Sequence, residues 1–404
     1  MDIRTDNPFW LLKNGFMEVY PSLKKDFSTD YAIIGGGITG AFVAWYLAKA
    51  GIETAVFDRR HIGMGSTCAS TSLLQYEIDT PLFELAETVG EKNAARSYQL
   101  CIRAIDEIEK ICKKLKVKTD FERKPSLYLA SRKKDFSGIL EKEFSIRRKH
   151  KINVELWDEK QLADKFSFEN AGALYSPKDA AQLDVYRMTH GLFQDAISSG
   201  AKVFDKTEIE KIERGKRGVA LKTKDGFEIN AKKIIIACGY ESVNYLPENL
   251  VRLHSTFALA SEPFTEKNLW HENCLIWETA RPYLYMRTTA DNRIIVGGKD
   301  EPFQNPAKRD KLLNKKTRLI VESFKRKFPE INLIPDYAWA GTFGETKDGL
   351  PYIGSVKQVS QTIFALGFGG NGITFSQIAA EIIRDEATGK KNSDAKIFSF
   401  DRSQ

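Results

Sequence analysis

Residues 30–58 read DYAIIGGGITGAFVAWYLAKAGIETAVFD. A short apolar run, Tyr31 to Ile34, meets Gly35, Gly37 and Gly40 in the spacing G-x-G-x-x-G. Ile38, Ala41, Phe42 and Trp45 follow at i, i+3, i+4 and i+7, one face of a helix that Gly51 ends. Thr54 to Phe57 read as a second strand, and Asp58 stands at its end, 18 residues after Gly40. Strand, glycine turn, helix, strand and terminal acid together make a dinucleotide-binding β-α-β unit. Gly35 permits the tight turn, Gly37 lets the backbone approach a pyrophosphate, and Gly40 lets the helix pack on the strand. The start of the helix, at Ile38 and Thr39, offers free N–H groups to phosphate. Asp58 is placed to accept hydrogen bonds from ribose hydroxyls. NAD and FAD both use this unit, so the choice between them rests on the remainder of the chain.

A second strand–glycine loop–helix pattern occupies residues 362–383, TIFALGFGGNGITFSQIAAEII. Gly367, Gly369, Gly370 and Gly372 precede a helix whose buried face is Ile378, Ala379, Ile382 and Ile383. Its N-terminus presents a positive dipole end to whatever lies above the loop. An NAD enzyme has no general need of a second such terminus. A flavin has one, because its reduced ring system carries negative charge. The two loops together therefore predict FAD.

The 404 residues exceed what one core ordinarily holds, so two domains are expected. Apolar content of 42% and charged content of 28% are ordinary for a globular protein. The net charge of +7 is modest, and the lysine runs at 113–118 and 325–328 lack the aromatic interleaving of a nucleic-acid surface. They read as solvated helix faces, and no nucleic-acid partner is expected. Five scattered cysteines, Cys68, Cys101, Cys112, Cys238 and Cys274, have no zinc spacing. With no apolar leader after Met1, they point to a reduced, cytoplasmic protein without a metal. Tyr31 to Ala48 carries no formal charge over 18 residues, but three glycines interrupt it, and a strand–loop–helix explains it better than a membrane span.

Between the two loops the pattern predicts a long amphipathic helix over 91–116, a strand over 125–130 and a helix over 186–199. A meander of short strands follows at 202–204, 207–213, 218–223 and 227–230, then a buried strand at 232–239. Antiparallel strands are expected at 256–262, 283–287 and 293–298, and a helix at 309–328. Residues 1–29 form a polar-aromatic extension in which Phe9, Trp10 and Phe16 pack on a domain surface. No repeat or low-complexity linker is present, so the domains are interleaved.

Four motifs, in order, carry a family resemblance: IIGGGITG (33–40), VFDRRHIGMGST (56–67), KKIIIACG (232–239), and KDGLPYIG (347–354) with ALGFGGNGIT (365–374). The chain resembles the D-amino acid oxidase-like FAD-dependent oxidoreductases, which include glycine oxidase, sarcosine oxidase and γ-glutamylputrescine oxidase. The resemblance covers about residues 28–400. It implies an α/β fold: a Rossmann-like FAD-binding domain of glutathione-reductase type, with an inserted α+β substrate domain on an antiparallel sheet. On this reading residues 30–80, 171–250 and 340–404 form the FAD-binding domain, and 81–170 and 251–339 the substrate domain. Besides Gly35, Gly37, Ile38, Thr39, Gly40 and Asp58, it assigns Arg59, Gly65, Ser66, Thr67, Ile209 and Gly239 to the cofactor. From the second loop it assigns Gly369, Gly370, Asn371, Gly372, Ile373 and Thr374.

The implied activity is oxidation of a C–N bond in an amine or amino acid. Hydride passes to the flavin, the imine hydrolyses, and the electrons go on to O2 or another acceptor. Relatives that bind flavin covalently use a cysteine in the segment matching 339–349 or a histidine where Ala69 stands, so FAD is expected to be non-covalent. The positions matching the sarcosine-type carboxylate clamp are Gln75 and Thr374, both neutral, and the oxygen-activating lysine falls on Ile295. In RPYLYMR (281–287), Arg281, Tyr283, Tyr285 and Arg287 alternate and share one strand face. An arginine fork with tyrosine hydroxyls suits a carboxylate. Tyr285, Arg287 and Gln75 are the candidate catalytic residues. Three rival readings remain: the same fold as a 2-hydroxyacid or glycerol-3-phosphate dehydrogenase, an NAD-dependent dehydrogenase, and a flavin-binding subunit that needs a partner chain.

Overall fold

The computed structural model describes residues 1–216, 218–246 and 250–402. Two sheets organise them. The first has eight strands and centres on Phe27–Ile34, with Thr54–Phe57 on one side and Glu228–Ile236 on the other, all parallel. Lys202–Phe204 continues it in parallel beyond Thr54–Phe57, and Val359–Leu366 beyond Glu228–Ile236. Tyr352–Val356 closes the latter edge antiparallel. The hairpin Ile209–Arg214 and Val219–Thr223 pairs onto the lower half of Glu228–Ile236.

The parallel strands are apolar throughout because both of their faces are covered. Ile33, Val56, Ile235 and Ile363 face one core, while Ala32, Ile34, Ala55, Phe57, Ile234, Ile236 and Phe364 face the other. On the first face lie the helices Ile38–Lys49, Val185–Ser198, Gly372–Ala387 and Glu91–Cys112. Ile38–Lys49 was expected to bury one stripe. It is covered almost all round, from Thr39 to Ala48 apart from Trp45, because helices 185–198 and 372–387 flank it.

The second sheet has nine strands and is mixed where an antiparallel one is expected, because Leu275–Glu278 pairs parallel with Glu122–Leu129. Its order is Pro335–Glu345, Arg252–Ser261, Ile294–Glu301, Leu284–Thr288, Leu275–Glu278, Glu122–Leu129, Gly172–Gln182 and Leu73–Leu74. Glu155–Asp158 also pairs with Gly172–Gln182. The helix Pro306–Lys327 packs Ile320 and Phe324 against Phe257, Leu259, Met286 and Val296 of this sheet.

Several sequence expectations need correction. Residues 227–230 and 232–239 are not two strands; Glu228–Ile236 runs without a break. Gly172–Gln182, placed with the nucleotide segment 171–250, pairs instead into the nine-stranded sheet against Glu122–Leu129. Leu73–Leu74, within 30–80, also pairs into that sheet. The boundary at 339/340 falls inside the continuous strand Pro335–Glu345. The boundary at 29/30 falls inside Phe27–Ile34. Partners distant in sequence decide these assignments, and local patterning does not encode them.

The N-terminal extension is more firmly built in than a surface cover. Phe9 and Trp10 are fully buried, Trp10 Nε1 donates to Ser70 O at 2.6 Å, and Phe9 stacks on Trp339 with centroids 6.0 Å apart. Thr5 N–H donates to Ala340 O at 3.0 Å, tying the extension to the second sheet. Phe16, expected to pack, is 61% exposed.

Candidate active site

One cavity is lined by residues of both sheets and by both glycine loops, with Asp58 beside the first loop and Asp79 and Tyr283 beside the second. At the first loop Gly35 adopts φ +117°, and a Cβ there would stand 2.5 Å from Ala237 O. A Cβ on Gly40 would overlap Gly35 O. Only glycine lets the strand turn and the helix return this tightly. Helix 38–49 has no side-chain cap on its first turn beyond Thr67 Oγ1, which accepts the Ile38 N–H at 3.0 Å. Its terminus therefore faces the cavity with N–H groups to offer an anion.

Asp58 closes this end. Its Oδ2 accepts the Gly36 N–H at 2.6 Å and its Oδ1 accepts the Arg60 N–H at 2.7 Å. Burial pushes the Asp58 carboxyl up, while those two N–H bonds pull it down. Arg59 and Arg60 both pair with Glu241, Arg60 Nη1 at 2.8 Å. Gly65, Ser66, Thr67, Ile209 and Gly239 line the same end.

At the second loop Gly367 and Gly369 take φ +77° and +55°, reversing the chain ahead of helix 372–387. The Gly370 N–H donates to Asp79 Oδ2 at 2.7 Å. Asn371 Nδ2 donates to Gln75 O at 3.0 Å and to Glu77 O at 2.9 Å, binding the loop to the segment 75–77. The helix has no side-chain cap, and Gly372 and Ile373 line the cavity.

Segment 75–77 is anchored from behind. Arg147, fully buried, donates to Glu143 Oε1 at 2.7 Å and to the Tyr76 hydroxyl at 2.9 Å. Ser126 Oγ donates to Glu77 Oε1 at 2.6 Å. With Tyr76 and Glu77 held there, Gln75 stands on the cavity side, and its Nε2 is buried without a partner.

The nine-stranded sheet supplies Thr256, Tyr283, Tyr285, Asp300 and Trp339 to the lining. Tyr283 donates its hydroxyl to Asp79 Oδ1 at 2.9 Å. Gly297 leaves the space that the Tyr285 ring fills, since a Cβ there would overlap that ring. Burial drives the Tyr283, Tyr285 and Tyr240 hydroxyls up, so they act as neutral hydrogen-bonding groups and not as bases.

The structure gathers most of the candidates from sequence into this cavity, but three stand outside its lining: Gly40, where the helix packs on the strand, Arg287 and Thr374. Arg287 is buried among backbone carbonyls: Nη1 donates to Ser72 O at 2.7 Å and to Leu183 O at 3.1 Å, and Nε donates to Thr288 O at 2.9 Å. Its guanidinium lies 5.6 Å from the Trp10 ring centroid. The strand begins only at Leu284, so Arg281 and Tyr283 precede it, and at Arg287 the face is roofed by Trp10 of the N-terminal helix Phe9–Asn14. Thr374 is buried in helix 372–387 and donates to Asn371 O at 3.0 Å. Ile295, at the position of the oxygen-activating lysine, is a core residue. Cys68 is buried outside the lining, with burial pushing its thiol up to about 11.

Sequence reasoning passed over Asp79, Tyr240, Thr256 and Asp300. Asp300 had no legible signal, because a β-bulge aims it. The register against Arg252–Ser261 shifts between Ser255 and Phe257, opposite Lys299, whose φ is +59°.

Whether the residues fit FAD is tested by what they leave unsatisfied. Ser66 Oγ, Ser72 Oγ, Gln75 Nε2, Thr342 Oγ1 and Asp300 Oδ1 all belong to lining residues and are buried with no hydrogen-bond partner among the described residues. Native interiors leave few such groups, so a row along one cavity marks a polar ligand site. Two uncapped helix termini open onto it as well. The donor set fits FAD: the N–H groups of the helix termini would suit its phosphates, and the unpaired polar side chains its remaining polar atoms. Among the described residues no cluster could hold a metal.

A cavity that offers two helix termini, closed by a largely antiparallel sheet, defines the class as a two-sheet dinucleotide-binding protein. The family profile described as "DAO: FAD dependent oxidoreductase" matches residues 30–386, and the chain belongs to this family. It is 23% identical to a probable oxidoreductase OrdL of Haemophilus influenzae, over 92% of this chain and 85% of that protein. It is 22% identical to the gamma-glutamylputrescine oxidoreductase of Escherichia coli, over 91% of this chain and 86% of that one. The crystal structure of glycine oxidase from Geobacillus kaustophilus superposes with a TM-score of 0.76 at 19% identity, covering 94% of this chain and 98% of that one. The protein is thus an FAD-dependent oxidoreductase. No helix among the described residues is long and apolar enough to cross a membrane.

Proposed function

We propose that the protein oxidises the C–N bond of an amine or amino acid, with FAD held non-covalently in the cavity and the imine product hydrolysing in water. The names of its relatives, glycine oxidase and gamma-glutamylputrescine oxidoreductase, support CH–NH chemistry over C–OH chemistry. FAD, when bound, supplies the hydride acceptor, and its reduced form is reoxidised by O2 or another acceptor. The eight-stranded sheet with its helices forms the FAD-binding side, and the nine-stranded sheet forms the substrate side. The observation that carries the reading is the wall of Tyr283, Tyr285, Thr256 and Gln75 facing the uncapped terminus of helix 372–387 across one cavity.

In this arrangement Gln75 Nε2 and the Tyr285 hydroxyl orient the substrate. Asp79 fixes Tyr283 and the Gly370 N–H together, so the wall and the loop hold one spacing. Trp339, whose Nε1 donates to Ala69 O at 2.8 Å, helps to exclude water from the same space. Non-covalent attachment rests on Ala69 and on the lack of a cysteine in 339–349.

The test is an anaerobic visible spectrum of the purified, FAD-loaded protein during additions of amines, amino acids and hydroxy acids. Bleaching by amines or amino acids supports the reading. Bleaching by hydroxy acids alone overturns it. Acid precipitation then checks the linkage: the yellow colour is expected in the supernatant, and a yellow pellet would show a covalent bond.

A further inference from the structure

The substrate end of the cavity has an uneven charge. Among the described residues that line it, the cations are Arg59 and Arg60, at the nucleotide end and both bound to Glu241. Arg287 is consumed by three carbonyls. Arg281 lies exposed at the rim, donating to Asp79 O with its guanidinium 5.0 Å from the Tyr283 ring centroid. The acids of this end are Asp79 and Asp300. They differ in one respect. Asp79 is satisfied by Tyr283 and by the Gly370 N–H, whereas Asp300 Oδ1 is sealed from solvent without a partner.

The chain spends conformational energy to put Asp300 there. Lys299 is held in the left-handed region, which L-residues enter at a cost of order 1 kcal/mol or more. The bulge opposite Ser255–Phe257 breaks the regular alternation at this point and turns Asp300 onto the cavity. Gly298, at φ +136°, leaves room for the neighbouring Tyr283 backbone. The groups around the carboxyl are the Thr256 hydroxyl, Asp79, Glu345 and Lys316. Lys316 is engaged elsewhere, donating to Glu301 Oε1 at 2.6 Å and to Lys299 O at 2.7 Å. A buried carboxylate with no cation of its own is unfavourable until a ligand provides one.

We propose that Asp300 receives the ammonium group of the substrate, and that the substrate is accordingly a cationic amine with no carboxylate on the reacting carbon. This rests on the amine-oxidation reading and names its substrate class. An α-amino acid would bring its carboxylate towards Asp79 and Asp300 with no free guanidinium inside the cavity to meet it. A simple amine, or the amine end of a longer molecule, brings the missing charge alone.

The experiment uses two probes that share a tert-butyl group and cannot react, tert-butylammonium and pivalate, titrated calorimetrically into the FAD-loaded protein. Neither has a hydrogen on the carbon that bears its charged group, so no hydride can leave and binding is read without turnover. Wild type is expected to bind the cation at least about tenfold more tightly than the anion. Asp300→Asn should remove that preference while keeping the flavin spectrum. Tighter binding of pivalate, or binding of neither probe, overturns the proposal. So does an unchanged cation affinity in Asp300→Asn. If that variant fails to fold, the wild-type comparison still decides. The two readings separate cleanly. Amines that bleach the flavin in a protein indifferent to Asp300 would sink this inference and leave amine oxidation standing. A cation preference that Asp300→Asn removes, with no amine bleaching, would overturn amine oxidation and the substrate class with it, and leave Asp300 as a cation-binding group alone.

Discussion

Thr39 Oγ1 and Ser376 Oγ lie 2.8 Å apart, both buried, although 337 positions separate them in the chain. Each sits in the first turns of a helix that opens onto the cavity from its own glycine loop. This contact brings the two helix termini side by side, so one ligand can meet both. Thr39→Val should remove it while preserving shape. Ser376 Oγ retains its bond to Gly372 O at 2.6 Å, so the loss is limited to about 1 kcal/mol of stability. Thermal melts with and without FAD should show a larger drop in the FAD-loaded form. An equal drop in both would mean the pair serves the fold alone.

The glycines of the first loop are not equivalent. A Cβ on Gly40 meets backbone, Gly35 O, whereas one on Gly36 meets the tip of the Ile62 side chain. Backbone cannot step aside and a side-chain tip can. Gly40→Ala is therefore expected to cost about 1–3 kcal/mol or more and to abolish FAD retention, while Gly36→Ala costs less. Denaturant titration and the flavin-to-protein absorbance ratio check both. Equal effects would contradict the assigned packing.

Arg287 separates a structural arginine from a substrate-binding one. Arg287→Met leaves Ser72 O, Leu183 O and Thr288 O without their charged donor, and should destabilise by about 2–4 kcal/mol. Among molecules that remain folded, KM for the substrate should be close to that of wild type. A large rise in KM at unchanged stability would return Arg287 to the binding site.

At the C-terminal end, Arg402 Nε donates to Asp348 Oδ2 at 2.8 Å, and both side chains are buried. Burial raises the Asp348 carboxyl, but the Arg402 bonds and charge and the Leu350 N–H outweigh it and hold it below the usual carboxylate range. A carboxyl held low in the folded state stabilises above its unfolded pKa and loses that contribution as pH falls through the folded value. Asp348→Asn should thus destabilise by about 3–5 kcal/mol at neutral pH and progressively less in acid. Melting temperatures of both forms between about pH 3 and about pH 7 should converge at the acid end.

Asp300 titrates in the opposite sense. Burial first, then Asp79 and Glu345, push its carboxyl up to about 6, against the Thr256 hydroxyl and Lys316. Affinity for tert-butylammonium should hold above that pH and fall below it, as the carboxylate takes a proton. A flat profile through this range would show that the cation sits elsewhere.

Much of the site was legible in the chain. Gly35, Gly37, Gly40 and Asp58 are set by spacing within one β-α-β unit, and Gly369 to Ile373 by the same local logic at a helix start. Tyr285 and Gln75 were reachable through strand alternation and family resemblance, and both line the cavity. Arg287 shows where alternation stops being sufficient. Strand period says which side of a sheet a residue faces, but not what covers that side; here the N-terminal helix does.

What the sequence determined by itself is what covalent neighbours can enforce: the glycine turns, the helix starts above them, the acid at the strand end, and with these the cofactor class. Tertiary structure alone decided which distant strands pair, so that Gly172–Gln182 joins the nine-stranded sheet and the two helix termini meet at Thr39 and Ser376. It also decided which polar atoms are left unpaired. Asp300 reads as one more surface acid until a bulge against a strand some 40 residues earlier turns it inward. Burial and partnership are properties of the assembled chain, and they, more than residue type, set what a carboxylate does.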